Sequence, residues 1–328
     1  MNEEEFKQAK NDISQIRREV AKRVVGQENV IDGILTALIA GGHVLLEGGP
    51  GLAKTLAVKT FADVSSLGFK RIQFTPDLLP ADVTGTLVYE QNTSTFSVRK
   101  GPVFTNLVLA DEINRSPAKV QSALLEAMAE HQVTIGDETH KLPEPFFVLA
   151  TQNPIEQEGT YPLPEAELDR FLLKVVVKFP NIQEETKIVL SQGMNDTIPV
   201  NKVFSAEKIF ALRSLAEKIS CEDSIVNYIV SIVAVTRPES EKSQHAKNRD
   251  DILRYISYGA SPRASIALLR CAKIAALFDG RSYVIPEDVK KVAPEVLRHR
   301  LVLSYEAAAD GITSDNLVEK ILALIPVP

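Results

Sequence analysis

The sequence predicts an α/β fold: a doubly wound, parallel five-stranded sheet with β-hairpin insertions, followed by a smaller all-helical domain. Between about residues 43 and 180, apolar runs alternate with helical patterns, and the middle runs are nearly continuous, as in parallel strands buried on both faces. After about residue 200 strand signals vanish, and apolar residues recur at helical spacing. We therefore expect an α/β domain with an N-terminal helix over residues 1–192 and a helical domain over 193–328.

Two helices are predicted before the first strand. Apolar residues recur at alternating spacings of three and four, which predicts an amphipathic helix. They are Phe6, Ala9, Ile13, Ile16 and Val20. A second, more apolar helix is predicted from about Glu28 to Ala40.

Five apolar runs are the candidate strands of the sheet. They span residues 43–47, 69–74, 106–111, 145–151 and 171–179. In the last run Lys174 and Lys178 alternate with apolar residues, which is typical of an edge strand.

Two segments are predicted as β-hairpins inserted between these elements. Residues 86–89 and 95–98 flank the polar turn Gln91 to Ser94, and residues 132–135 meet 139–142 across Gly136-Asp137. In the second domain two amphipathic helices contain Ile209 to Ile219 and Ile225 to Val233, residues 236–250 form a polar loop, and a helix starts at Ser261-Pro262.

Composition is that of an ordinary globular protein. The chain has 328 residues, of which 45% are hydrophobic and 24% charged. The acidic start lacks the basic and apolar regions of a signal peptide, and no apolar run approaches the roughly 18 residues of a membrane span, so a cytoplasmic location is expected. Cys221 and Cys271 are too few for a disulfide framework or a zinc site, and the five histidines show no metal-ligand spacing. The net charge of −6 argues mildly against a surface that coats nucleic acid.

A glycine-rich run between the first strand and the next helix predicts a phosphate-binding loop. It consists of Gly48, Gly49, Pro50, Gly51, Leu52, Ala53, Lys54 and Thr55, and it leads into Leu56. Backbone N–H groups of such a loop bind phosphates, Lys54 can reach the outer phosphates, and the Thr55 hydroxyl can ligate Mg²⁺. The usual pattern has glycine before the lysine; Ala53 fits if its φ is negative, as in a helix.

Two acids end the third strand, at Asp111 and Glu112. Ligands of open α/β sheets bind at the carboxyl ends of the strands, so Asp111 could hold Mg²⁺ through water and Glu112 could polarise the attacking water. The alternative is a solvated acidic turn before the helix that follows Ser116-Pro117.

Three further polar residues have both a functional and an ordinary interpretation. Asn153, after the fourth strand, could orient water or contact the γ-phosphate, or Asn153-Pro154 could simply start a turn. Arg170 could act on a neighbouring subunit's nucleotide, or could pair with Asp169 or Glu167. Arg263, in the first turn of a helix, either faces an anion or points into solvent, because a cation there opposes the helix dipole by about 0.3 to 1 kcal/mol.

Taken together, these motifs resemble the AAA+ ATPases and, within them, the MoxR family. The resemblance covers nearly the whole chain, and the motifs that carry it are residues 48–55, 110–128, 150–154, 165–171 and 259–264. Alanine at position 53 is usual in that family.

The resemblance implies roles for individual residues. Lys54 and Thr55 would belong to Walker A, Asp111 and Glu112 to Walker B, Asn153 would be sensor 1, Arg170 the arginine finger and Arg263 sensor 2. Val25, Gly26 and Gln27 would flank the adenine, and Gln73 could gate Glu112.

The resemblance also implies a Mg²⁺-dependent ATPase, acting as a ring hexamer that remodels or matures protein clients. MoxR relatives resemble chaperones for metalloenzymes and often have von Willebrand factor A-type partners. Two alternatives stay open. A nucleic-acid motor is favoured by the hairpins but opposed by the acidic balance and the lack of aromatic residues interleaved with basic ones. A nucleotide-switched scaffold is opposed by the presence of Glu112, Arg170 and Arg263.

Overall fold

The computed structural model describes residues 3–155, 159–192, 198–238 and 251–328. The chain divides into two compact units. The α/β unit comprises Ser14–Phe171 and Val175–Phe210, and the helical unit comprises Met1–Ile13, Leu172–Lys174 and Ala211–Pro328. The predicted boundary between residues 192 and 193 stays a prediction, since residues 193–197 lie outside the described ranges.

Five strands form the central sheet in the order β2-β5-β8-β1-β9. Their bounds are β1 Val44–Glu47, β2 Phe69–Gln73, β5 Leu107–Asp111, β8 Phe147–Gln152 and β9 Leu173–Val176. The β2–β5, β5–β8 and β1–β8 pairs are parallel, and the predicted fold class is confirmed. The inner strand β5 is buried at every residue, whereas β2 and β9 lie at the edges with partly exposed residues, as the alternation in β9 predicts.

Eight α-helices lie among the described residues up to Glu217, and two of them precede the first strand as the sequence predicts. Their bounds are α1 Glu3–Ala21, α2 Glu28–Ala40, α3 Lys54–Asp63, α4 Pro80–Thr84, α5 Ala118–Glu130, α6 Glu165–Leu168, α7 Ile182–Gln192 and α8 Ala206–Glu217. The five apolar positions predicted for α1 are all buried, and the bounds of α2 agree with the prediction. Gly41 caps the C-terminus of α2 and has a left-handed backbone (φ 68°).

Both predicted hairpins are present in the α/β unit. The first pairs β3 Gly85–Glu90 with β4 Thr95–Lys100, and the second pairs β6 Gln132–Ile135 with β7 Glu138–Lys141. Val133 and Ile135 of the second hairpin belong to the buried core beside β5 and β8, so this hairpin is anchored to the sheet.

Where the helical unit is described, beyond Glu217, it contains four longer α-helices and one short α-helix. They are α9 Asp223–Val235, α10 Pro262–Phe278, α11 Pro286–Leu297, α12 Tyr305–Ala309 and α13 Ser314–Leu324. Ser261 caps α10, accepting a hydrogen bond from the Arg263 N–H at 3.2 Å, as the Ser-Pro start predicts. A short antiparallel pair, β10 Ile256–Tyr258 with β11 Val302–Leu303, adds a detail that the expectation of an all-helical domain missed.

Two further expectations concern loops and membranes. Most of the predicted polar loop at 236–250 lies outside the described residues, which stop at 238 and resume at 251. None of the described helices combines the length and apolar character needed to cross a membrane.

Candidate functional site

The glycine-rich loop connects β1 to α3, in the strand–turn–helix context that the motif requires. Gly51 has a left-handed backbone (φ 79°), and a Cβ there would have no atom within 4 Å. A Cβ on Gly48 would come within 2.9 Å of the Val177 Cβ, so glycine is needed there for close packing. Gly51 therefore has open space beside it, whereas Gly48 is packed against Val177.

Ala53 corrects one expectation. It precedes the first residue of α3 with φ 56° and ψ 22°, in the left-handed region, whereas the sequence analysis supposed a negative φ. A non-glycine residue in this region is uncommon and costs on the order of 1 kcal/mol. The loop therefore holds alanine in a strained conformation, and strained backbone is frequent at ligand-binding turns.

Lys54 begins α3 and folds back over the loop. Its Nζ donates to the backbone carbonyl of Gly48 and, at 3.0 Å, to that of Gly49. The ammonium group is therefore held against the backbone of the glycine-rich loop.

Thr55 and Asp111 meet although they are 56 residues apart in the sequence. The Thr55 hydroxyl donates to Asp111 Oδ2 at 3.2 Å. The other carboxylate oxygen, Oδ1, accepts from the Thr151 hydroxyl at 2.6 Å, and Asp111 is buried. A hydroxyl beside a carboxylate at the phosphate loop is an all-oxygen donor set of the kind that Mg²⁺ prefers, so the residues present fit this ion.

Thr151 was missed as a site residue by the sequence analysis. It is fully buried in β8, donates to Asp111 and accepts a hydrogen bond from the Glu112 N–H at 2.8 Å. In the sequence, the one indication of this role is that Thr151 lies near the end of β8, the strand beside β5. That indication is weak as long as the strand order is unknown.

Glu112 follows β5 with a left-handed backbone (φ 57°) and is partly exposed. Its Oε2 accepts from Gln73 Nε2 at 3.0 Å and from Arg115 Nη1 at 3.2 Å. The contact with Gln73 is the one that a gating role requires, while Arg115 was not singled out in the sequence. The two donors hold the carboxylate from β2 and from the turn after β5.

Arg71 is the second residue that the sequence analysis missed. Its Nε and Nη2 donate to Asp111 Oδ2 at 3.0 and 2.7 Å, and Nη2 also donates to Gln73 Oε1 at 2.6 Å. Arg71 and Gln73 are two apart on β2 and so share one face of the strand.

Asn153 and Arg170 have well-defined partners within the α/β unit. Asn153 is buried, and its Oδ1 accepts from the Ile155 N–H at 3.1 Å, the geometry of an Asx turn. Arg170 is exposed and its Nη1 donates to the Leu125 carbonyl of α5 at 2.8 Å. The carboxylate of Glu167 accepts from Ser122 at 3.1 Å, so the predicted ion pair with Glu167 is replaced by separate hydrogen bonds to α5.

The segment proposed to flank the adenine lies against the residues that follow β9. Gln27 is buried and its Nε2 donates to the Lys178 carbonyl at 2.9 Å. Gly26 has φ 71°, and a Cβ there would come within 2.6 Å of the Glu184 side chain. Because Val177 packs against Gly48, the two consecutive residues 177 and 178 connect this segment to the phosphate loop. Val25 is partly buried beside it.

Arg263 belongs to the helical unit, where it occupies the first turn of α10. The α/β unit thus brings together the phosphate loop, Asp111, Glu112 and the amide Gln73, with Asn153 one residue beyond β8.

Comparisons with known proteins agree with this geometry. The family described as "ATPase family associated with various cellular activities (AAA)" matches residues 43–173, and the family described as "AAA lid domain" matches residues 251–321. The first match spans β1 to the start of β9 and includes the phosphate loop and the Asp111–Glu112 pair.

Three similar proteins cover nearly all of the chain. Chaperone MoxR1 of Mycobacterium tuberculosis is 46% identical over 310 residues, which are 94% of this chain and 81% of that protein. Protein MoxR of Methylorubrum extorquens is 31% identical over 331 residues, covering 96% of this chain and 95% of that one. A crystal structure from Cytophaga hutchinsonii, described as a candidate ATPase, superposes with a TM-score of 0.90 at 48% identity and covers 99% of this chain and 98% of that one.

Proposed function

Because the chain belongs to the MoxR family of AAA+ ATPases, we propose that it binds and hydrolyses ATP and uses this reaction to remodel protein clients. ATP would lie with its phosphates on the loop from Gly48 to Ala53, where backbone N–H groups and the N-terminus of α3 stabilise negative charge. Leu56 follows in the first turn of that helix.

Lys54 would compensate the charge of the outer phosphates after leaving the Gly48 and Gly49 carbonyls. Thr55 and Asp111 would hold Mg²⁺, which when bound supplies Lewis-acid polarisation of the phosphate oxygens. Thr151 keeps the Asp111 carboxylate oriented, because it donates to the oxygen that faces away from Thr55.

Glu112 would act as the general base for the attacking water, and Gln73 would withhold or release it through their hydrogen bond. Asn153 would help orient that water. Arg170 would serve the nucleotide of a neighbouring subunit, and Arg263 would contact the phosphates as sensor 2. Val25, Gly26 and Gln27 would flank the adenine.

We further propose a ring hexamer in the cytoplasm that matures protein or metalloenzyme clients together with a von Willebrand factor A-type partner protein. The relative named Chaperone MoxR1 supports the chaperone-like class of activity. Nothing in the site itself selects the client.

One observation supports the ATPase proposal most strongly. The Thr55 hydroxyl lies 3.2 Å from the Asp111 carboxylate, and the adjacent Glu112 is held 3.0 Å from the amide of Gln73. A metal-ligand pair next to a restrained carboxylate, at the mouth of a phosphate loop, is the arrangement that triphosphate hydrolysis requires.

Binding and turnover of ATP can be separated experimentally. Lys54→Ala should lose binding of a fluorescent ATP analogue. The substitution removes the one basic side chain in the first turn of α3, which would otherwise compensate phosphate charge. Glu112→Gln should keep binding and lose phosphate release by about 10² to 10⁴-fold, the usual contribution of a general base. Lys59→Ala, at an exposed position on the same helix, is the control and should change neither. Wild-type turnover by the Glu112→Gln protein would remove Glu112 from the mechanism.

A further inference from the structure

Arg71 places a positively charged guanidinium on Asp111, the residue that is proposed to hold Mg²⁺. Its guanidinium makes two hydrogen bonds to Asp111 Oδ2, the same oxygen that accepts from Thr55. The Asp111 side chain is 7% exposed, whereas that of Arg71 is 50% exposed. A buried carboxylate therefore has a half-exposed counter-ion that can withdraw toward solvent.

Asp111 Oδ2 has no capacity left for a metal in this arrangement. An ionised carboxylate offers about four lone-pair sites, or two on each oxygen. Oδ2 already accepts from three donors, and Oδ1 accepts from Thr151. A divalent cation that binds Oδ2 must therefore displace donors from it, and Arg71 supplies two of the three. The guanidinium is the donor group to leave, because its positive charge also repels the cation.

Arg71 is at the same time connected to Glu112. Its Nη2 donates to Gln73 Oε1 at 2.6 Å, and Gln73 Nε2 in turn donates to Glu112 Oε2 at 3.0 Å. Because one amide makes both bonds, its orientation is fixed from both ends. Withdrawal of the Arg71 guanidinium toward solvent therefore also removes one of the two bonds that orient the Gln73 amide.

We propose that Arg71 is a positioning residue that competes with Mg²⁺ for Asp111 and, through Gln73, makes metal binding and the release of Glu112 one coupled event. With Arg71 on Asp111, the base is held by Gln73 and the metal position is taken. Once Mg²⁺ is bound with nucleotide, Arg71 would leave Asp111 and Gln73 would lose one of its two partners. Gln73 would then hold Glu112 less firmly, and Arg115 would remain as the other donor to that carboxylate. This inference rests on the proposed ATPase site.

The test measures metal binding rather than turnover. A fluorescent ADP analogue is titrated onto the full-length protein at a series of Mg²⁺ concentrations, and the Mg²⁺ concentration that gives half-maximal nucleotide binding is recorded. Arg71→Met should lower this midpoint by about tenfold, because a competing charge is removed from a metal ligand. Lys70→Met is the matched control: it removes the same charge one residue earlier, on the opposite face of β2, and should shift the midpoint by less than about twofold.

Two further variants test the coupling and guard against a folding defect. Arg71→Lys keeps the charge and should bring the midpoint back toward that of the wild type, although it cannot bridge Asp111 and Gln73 as the planar guanidinium does. Gln73→Leu should lower the midpoint less than Arg71→Met, and adding it to Arg71→Met should have no further effect, since coupled residues are non-additive.

The outcomes are distinguishable. An Arg71→Met midpoint that rises, or that moves no more than the Lys70→Met midpoint, overturns the competition. Additive effects of Arg71→Met and Gln73→Leu overturn the coupling between Arg71 and Gln73, and with it the proposed link to Glu112. If the wild-type protein fails to bind the ADP analogue at any Mg²⁺ concentration, the proposed function fails and the inference falls with it.

Discussion

At the residue scale, the site depends on a few side chains that each serve two neighbours. Thr151 donates to Asp111 and accepts from the Glu112 N–H, and Arg71 binds both Asp111 and Gln73. None of these partners is near in sequence to the residue that binds it, except Gln73 on the same strand. The chemistry assigned to Asp111 and Glu112 therefore depends on residues that carry no motif of their own.

His43 is a buried titratable residue just before β1. Its Nδ1 accepts from the Val148 N–H at 3.0 Å, so Nε2 carries the proton and donates to the Met128 carbonyl at 3.2 Å. Burial lowers the pKa of His43 from 6.5 to about 4, and the hydrogen bond to Met128 and the nearby His131 contribute in opposite directions. The folded α/β unit therefore holds His43 neutral at a pH where the unfolded chain protonates it.

This shift predicts how stability depends on pH. Between about pH 4 and 6.5 the unfolded state binds more protons, so the free energy of unfolding should rise with pH in this window and fall on acidification. Going from pH 7.5 to 5 should cost on the order of 2 kcal/mol through His43 alone, since one pKa unit corresponds to about 1.4 kcal/mol. Urea unfolding followed by circular dichroism at both pH values measures the change.

His43→Gln provides the comparison, because glutamine can also donate to Met128 but does not titrate. The variant is expected to be less stable at pH 7.5 but less sensitive to acid than the wild-type protein. Equal losses of stability in the two proteins would show that acid acts through other groups.

At the element scale, the two hairpins of the α/β unit differ in how they pack. The second packs into the core through Val133 and Ile135. The first carries Tyr89 opposite Phe96, with ring centroids 5.2 Å apart, and these side chains are 52% and 68% exposed. The two rings therefore pack on each other at the tip and not on the core, which favours a role in contact with a client.

The first hairpin offers a prediction about the client. Replacing residues 92–94 with a short Gly-Ser turn, or Phe96 with Ser, should leave basal ATPase activity unchanged and reduce client capture by tenfold or more, because exposed aromatic residues contribute most to contact energy. Capture is measured by quantitative mass spectrometry of proteins that the Glu112→Gln variant retains from a lysate of the native cells. Thr95→Ser, next to Phe96 on the other face of the strand, is the control.

Two results would redirect the proposal. If client capture survives when the turns of both hairpins, residues 92–94 and 136–137, are replaced, the contact lies elsewhere, and the helical unit is the next region to test. Binding of single- or double-stranded DNA at moderate salt that disappears with the same tips would favour the nucleic-acid motor.

At the scale of the whole molecule, the proposed Arg170 finger requires more than one subunit. Arg170 is exposed and held by the Leu125 carbonyl of α5, a bond that an anion from a neighbouring subunit could replace. ATP hydrolysis should therefore rise more than linearly with protein concentration.

Mixing two inactive proteins tests this assembly. Arg170→Ala and Glu112→Gln proteins should each be inactive, and their mixture should regain activity at interfaces that receive a good Glu and a good Arg. The gain should be large because an arginine finger is worth roughly 10³ to 10⁵ in rate. Phosphate release is measured on the mixture and on each protein alone. Absence of any gain, together with a monomer by light scattering at saturating ATP, would exclude the action of Arg170 between subunits.

Much of this fold could be predicted from particular residues. The continuous apolar run at 107–111 predicted a strand buried on both faces, and Ser261-Pro262 predicted the start of α10, because these signals act within a few residues. Ala53 could not be predicted in the same way. Its left-handed φ of 56° is imposed by the loop around it, while alanine by itself prefers negative φ.

The sequence by itself determined the α/β class, the position of the phosphate loop, the two hairpins and the acids at the end of β5, because each depends on local periodicity or on a contiguous motif. Only the tertiary structure decided that Arg71 and Thr55 meet at one oxygen of Asp111 and that Gln73 meets Glu112. These contacts span 39 to 56 residues of sequence and depend on the order β2-β5-β8-β1-β9. The packing of the whole sheet sets this strand order, and a local sequence pattern cannot predict it.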